Sequence, residues 1–93
     1  MAMKYDIEMK EQAMKDLAKL AKSEPKSFAK AQLLIEELRE HPRTGIGKPE
    51  QLSGDRVGQW SRRISQKHRI VYEIHDKEVV VLILTTYGHY NDK

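Results

Sequence analysis

The stretch "QWSRRISQKHRIVYEIHDKEVVVLILTT", residues 59–86, decides the fold. It contains three strand-like runs separated by two short polar connections. In the first, Trp60, Arg62 and Ile64 fall on one face, and Ser61, Arg63 and Ser65 on the other. In the second, Ile70, Tyr72 and Ile74 lie opposite Arg69, Val71 and Glu73. Period two is the signature of a half-buried strand. "SQKH" and "HDKE" are of hairpin length, so the runs predict an antiparallel meander. The third run, "VVVLILTT", is apolar and β-branched throughout. It predicts a strand at the centre of the sheet, buried on both faces.

Upstream, the pattern changes. "GKPEQL", residues 47–52, reads as a glycine-punctuated loop carrying Glu50. "HPRTGIG" before it stops a helix, because a residue preceding proline disfavours helical backbone. That helix is expected to run to about Glu40, with Phe28, Ala31, Leu34, Ile35 and Leu38 on its apolar face. Ser23 is its expected N-cap, and Pro25 suits its first turn. A preceding helix spans about Lys10 to Lys22, with Ala13, Met14, Leu17, Ala18, Leu20 and Ala21 at helical spacing. Lys4 to Met9 alternates as a short strand. The order is β-α-α-β-β-β. It predicts an α+β fold: a small, mostly antiparallel sheet with an N-terminal helical hairpin packed on one face. Residues 1–93 are read as a single domain.

Composition narrows the function. The chain has no cysteine, which removes disulfides and thiolate metal sites. Its longest apolar run, Val79 to Leu84, is far shorter than a membrane span, and its N-terminus lacks a hydrophobic signal region. A cytoplasmic location is the expectation. Net charge is +3, unevenly placed. From Arg39 to Tyr72 there are eight Lys/Arg against three acids, so this segment carries +5. A clustered basic segment is the electrostatic footprint of phosphate binding.

No phosphate-cradling loop and no nucleophile elbow is present, and His41, His68, His75 and His89 lack metal-site spacing. No metal or other cofactor is expected. Metal-free RNA cleavage needs a base for the 2′-OH, a cation for the phosphate, and an acid for the leaving 5′ oxygen. Glu50, the arginines, and the terminal His89–Tyr90 pair are residues of those types. Arginine suits the cation role, because its planar fork engages two phosphate oxygens. Taken singly, each has a plainer reading: Glu50 as a solvated loop charge, the arginines as a sheet's solvent face, Trp60 as core.

Together, "GKPEQL", "WSRRI", "HRIVYEI" and "GHY" occur in an order and spacing that resembles the YoeB/Txe branch of RelE-type bacterial toxins. These are the toxin halves of type II toxin–antitoxin pairs. The resemblance runs without a gap from about Thr44 to Tyr90. It implies a ribosome-dependent mRNA endonuclease acting in the ribosomal A site. Glu50 falls on the general base, Arg69 on the phosphate-stabilising arginine and His89 on the acid. Tyr90 falls on the tyrosine that orients or stacks on substrate. Lys48 and Arg63 fall on phosphate or ribosomal-RNA contacts, and Arg62 is grouped with them as an RNA-binding candidate.

The implied products are a 2′,3′-cyclic phosphate or 3′-phosphate end and a 5′-hydroxyl end. The implied partners are the ribosome, mRNA and a YefM/Axe-like antitoxin. Promoter DNA would be bound only through the antitoxin complex, and a homodimer is compatible with the family; no membrane partner is expected. The chain departs from the pattern in three places: Tyr87 stands two positions before His89 where a basic residue is usual, "RVG" (Arg56 to Gly58) replaces "LSG", and Asn91, Asp92 and Lys93 follow the terminal pair. Two other classes compete. A ParE-like toxin acting on DNA gyrase shares the layout but lacks the Glu/His constellation. A non-catalytic RNA-binding module would bind in a salt-dependent way without cutting.

Overall fold

The computed structural model describes residues 4–87. The elements are β1 (Asp6–Met9), α1 (Glu11–Ser23), α2 (Pro25–Leu38), β2 (Glu50–Gln51), β3 (Gln59–Arg63), β4 (Arg69–His75) and β5 (Val80–Thr85). A single 3-10 turn, Gly54–Arg56, lies between β2 and β3. The sheet order is β1-β5-β4-β3-β2. Among the described residues, only β1 and β5 pair in parallel; the β5-β4-β3-β2 pairs are antiparallel. The fold is α+β, and the predicted meander and helical hairpin are both present.

Alternation decides what each strand contributes. Ile70 and Tyr72 of β4, with Val81 and Ile83 of β5, are fully buried. They meet Ala13 and Leu20 of α1 and Ala31, Leu34 and Leu38 of α2, which form the core with them. At about 25 cal/mol per Å² of apolar surface, each buried Leu, Ile or Val here contributes about 1.5–3 kcal/mol of burial free energy, and each alanine less. A bulge between Val71 and Tyr72 shifts the β4–β5 register, so Val71 faces Thr85 and Tyr72 faces Ile83.

Several local expectations are corrected. β5 does lie between two strands, but β4 holds the centre. Val80, Leu82 and Leu84 are half-buried, because the helices cover only one face of the sheet. The α1 stripe is narrower than predicted: Met14 is 58% exposed, while Asp16 is buried on the inner face. Ser23 closes α1 and donates to the Lys19 carbonyl (2.9 Å) instead of capping α2. Glu24 takes the N-cap position, and Pro25 is the first residue of α2. The "GKPEQL" stretch is not wholly loop, since Glu50 and Gln51 form an edge strand against Ser61 and Trp60.

Candidate active site

The meander places two arginines side by side. Arg63 of β3 and Arg69 of β4 are direct register partners. Like charges facing each other across a ladder are unfavourable unless an anion lies between or beside them. Glu50 supplies one such anion. It is paired with Ser61, which is paired with Val71, so the three share the face turned away from the helices. Arg69 Nη1 donates to Glu50 Oε1 (3.0 Å) and to Ser61 Oγ (3.0 Å). The Glu50 side chain is 62% exposed, whereas that of Arg69 is only 18% exposed. The carboxylate thus faces solvent while the guanidinium is held from below.

Lys48, Pro49, Glu50, Arg63 and Arg69 line a cleft of about 310 Å³. Three cations face one carboxylate there, a balance that favours phosphate. Lys48 and Arg63 are exposed. The loop bearing Lys48 is fixed to β3 by the Arg63 amide, which donates to the Gly47 carbonyl (2.7 Å). Gly47 has φ +83, and a Cβ there would meet Leu34 at 2.9 Å and the Arg63 carbonyl at 3.1 Å. Lys48 itself has φ 51, in the left-handed region, although it is not glycine. A left-handed lysine costs about 1 kcal/mol. Such strain persists only where surrounding bonds over-determine it.

Arg62, the neighbour of Arg63, has a different fate. It was grouped with the RNA contacts, and the structure overturns that placement: its side chain is fully buried. Nε donates to the Tyr72 hydroxyl (3.2 Å). Nη1 donates to Glu37 Oε1 (2.5 Å) and the Ile46 carbonyl (3.3 Å). Nη2 donates to the Thr44 carbonyl (2.7 Å) and to the His41 carbonyl. All five guanidinium N–H groups are used, which a lysine with three donors could not match. Glu37 also accepts from the Ile46 amide (3.0 Å), and Tyr72 donates to the Pro42 carbonyl (2.8 Å). Burial pushes the Tyr72 phenol up, and the hydrogen bond from Arg62 opposes that shift. Arg62 therefore ties the segment from His41 to Ile46 to the sheet, and so sets where the Lys48–Glu50 segment begins.

Ser61 and Glu37 were not foreseen as parts of this arrangement. Ser61 could have been found from alternation, since it shares a face with Arg63. Glu37 had no such signal, because its partner lies 25 positions away. A second network joins Tyr5, Arg43 and Asp76. Tyr5 Oη donates to Asp76 (2.6 Å), and Arg43 donates to both Asp76 oxygens (3.4 and 2.7 Å). Arg43 and then Tyr5 hold the Asp76 carboxyl below its usual range. His89 and Tyr90 lie outside the described residues. Among the described residues, no group of three or more His, Asp or Glu side chains is placed to hold a metal ion.

The sheet edge thus carries a cation-lined cleft around one carboxylate on a two-layer α+β domain. The chain belongs to the family described as YoeB-like toxin of bacterial type II toxin–antitoxin system, whose family model matches residues 9–90. "Toxin YoeB" from Mycobacterium bovis is 53% identical over 49 residues, covering 53% of this chain. The match spans 58% of that relative's length, little more than half. Among solved structures, a YoeB/ParE toxin from Agrobacterium tumefaciens superimposes with a TM-score of 0.85 at 29% identity, over 91% of this chain and 99% of its own. A YoeB dimer from Staphylococcus aureus superimposes at 0.80 with 31% identity, over 94% of this chain and 99% of its own. The Staphylococcus aureus toxin has also been solved as a YoeB–YefM complex.

Proposed function

We propose that this chain is a ribosome-dependent mRNA endonuclease that arrests translation. The observation that carries the reading is the Glu50 carboxylate hydrogen-bonded to Arg69 in a cleft also lined by Lys48 and Arg63. In this scheme a phosphate of the message binds in the cleft and takes the fork of Arg69. Glu50 removes the 2′ proton, and the freed 2′ oxygen attacks phosphorus. Arg69 and Arg63 stabilise the added negative charge at the phosphate, the largest single catalytic contribution of such a site. The bond to the 5′ oxygen breaks as His89 donates a proton to it, leaving a 2′,3′-cyclic phosphate and a 5′-hydroxyl. Tyr90 orients or stacks on the substrate.

The ribosome supplies substrate geometry that so small a domain has little surface to impose. The antitoxin partner is expected to be YefM-like, with an acidic segment that folds over the basic cleft and neutralises it. Promoter DNA is bound only through that complex.

Expression of the chain without an antitoxin tests the reading. Growth and protein synthesis stop, and the message acquires new 5′-hydroxyl ends. Unbroken messages together with trapped gyrase–DNA cleavage complexes would replace it with the gyrase reading. Salt-sensitive RNA binding with intact message would leave only a binding module.

A further inference from the structure

Arg69 reaches across the neighbouring strand. Its register partner on β3 is Arg63, yet its Nη1 donates to Ser61 Oγ and to Glu50 Oε1, both at 3.0 Å. Ser61 lies two positions before Arg63 on the same face and pairs with Glu50 of β2. Arg69 therefore runs diagonally from β4, past Ser61, to the edge strand, a reach open to long side chains in a sheet. Only a small residue at position 61 leaves that lane open. Glycine or alanine would leave it open as well, but neither side chain offers an acceptor, whereas a hydroxyl does.

The two acceptors differ in rigidity. Ser61 is 1% exposed, and one side-chain torsion places its oxygen on a strand paired on both sides. The Glu50 carboxylate is set by three torsions, is 62% exposed and stands on a two-residue edge strand. Holding a side chain with more free torsions costs more entropy, so Glu50 is the contact that gives way more easily. The chemistry pulls the same way. Once Glu50 takes the 2′ proton, its bond to Arg69 loses half of its charge assistance. The phosphate gains negative charge in that same step, so the guanidinium has to stay in place as Glu50 lets go. We propose that Ser61 is a positioning residue whose hydroxyl fixes the Arg69 guanidinium in the cleft while Glu50 takes the proton. The proposal rests on the reading of Glu50 as base and Arg69 as phosphate clamp. Ser61 acts through Arg69 and itself touches no substrate.

The test is a double-mutant cycle of Ser61→Ala and Arg69→Met, with each protein first shown to be folded by circular dichroism. Cleavage of ribosome-bound message is followed at saturating protein, and ribosome affinity is measured separately. Ser61→Ala is expected to cut about tenfold more slowly, because small misplacements of a reacting group are costly, with affinity changed less than about twofold. In the Arg69→Met background the same substitution is expected to have no further effect, since residues that act through one contact are not additive. Wild-type cutting by Ser61→Ala overturns the proposal, as does a loss confined to affinity, or an equal loss with and without Arg69. The heteronuclear NOE of the Arg69 Nε–H group gives a readout free of activity, and it is expected to fall in Ser61→Ala. A wild-type Arg69 value as low as that of the exposed Arg63 overturns the proposal without any variant. If the wild-type protein leaves message intact, the cleavage reading fails by itself. The NOE then decides the hold, and equal values in wild type and Ser61→Ala overturn it.

Discussion

Arg62 and Arg63 are adjacent in β3 and chemically identical, yet one is a structural tie and the other lines a cleft. The strand's pleat separates them. Arg62 shares its face with Trp60 and points under the helices, where three carbonyls, a carboxylate and a phenol absorb its five donors. Arg63 shares its face with Ser61 and stands opposite Arg69, beside Glu50. A cation whose hydrogen bonds are all made by the fold has none left for a ligand. Two cations in register around a single carboxylate leave an excess of positive charge facing the cleft. The same alternation in β4 puts Ile70 and Tyr72 in the core and leaves Arg69 on the cleft side.

The sharpest way to break this division is at Arg69. Arg69→Met is expected to slow message cleavage by about 10²–10³-fold, the range for losing one preorganised charge donor. Its effect on denaturant unfolding should stay near 1 kcal/mol, from the lost bonds to Ser61 and Glu50. A stability loss that accounts for the whole activity loss would place Arg69 with Arg62. The converse change, Arg62→Met, is expected to cost about 3 kcal/mol in urea unfolding, because Glu37 and the loop carbonyls lose a buried partner. Unchanged stability would show that the five bonds are not what holds the loop.

Smaller effects refine the cleft side. Arg63→Ala is expected to reduce the slope of log affinity against log salt for single-stranded RNA by about one phosphate contact, roughly 0.7 in slope. An unaltered slope would remove Arg63 from the interface. The smallest effect concerns acid. Glu24 and Asp76 both have folded-state pKa values below their unfolded ones, through His68 and through Arg43 respectively. Their contribution to stability is full above the usual carboxylate range and is lost as pH falls through the depressed folded values. Asp76→Asn should therefore flatten part of the loss of unfolding free energy on acidification. An identical pH profile would show that the Arg43 pair contributes nothing.

Much of the sheet was legible because period two and hairpin-length turns are local signals: β3 and β4 fall where alternation put them, and β5 falls on the continuous apolar run. The same alternation listed Arg62 with Trp60 and Ile64, which was the available sign that it faces the core. The resemblance to RNA-cutting toxins outweighed that sign in grouping it with Arg63. β2 was read as loop because two residues have no period. Its pairing is fixed by β3 and by the anchored Gly47 carbonyl. Asp16 lies on the buried side of α1 with Ala13 and Leu20, and its partner Thr86 is 70 positions away. Long-range polar partners of this kind leave no local periodicity. Glu50 and Arg69 were legible as site candidates only through the motif ensemble. Their 3.0 Å contact needed the fold.

The most direct measurement is the mapping of message 5′ ends in a purified translation reaction, with wild-type protein and with Glu50→Gln. Glu50 is an exposed edge residue, so the substitution should leave unfolding within about 0.5 kcal/mol of wild type. The account predicts new 5′-hydroxyl ends with the wild-type chain, and a loss of about 10²-fold or more in their rate of appearance with folded Glu50→Gln. Ends appearing at the wild-type rate with Glu50→Gln would contradict it.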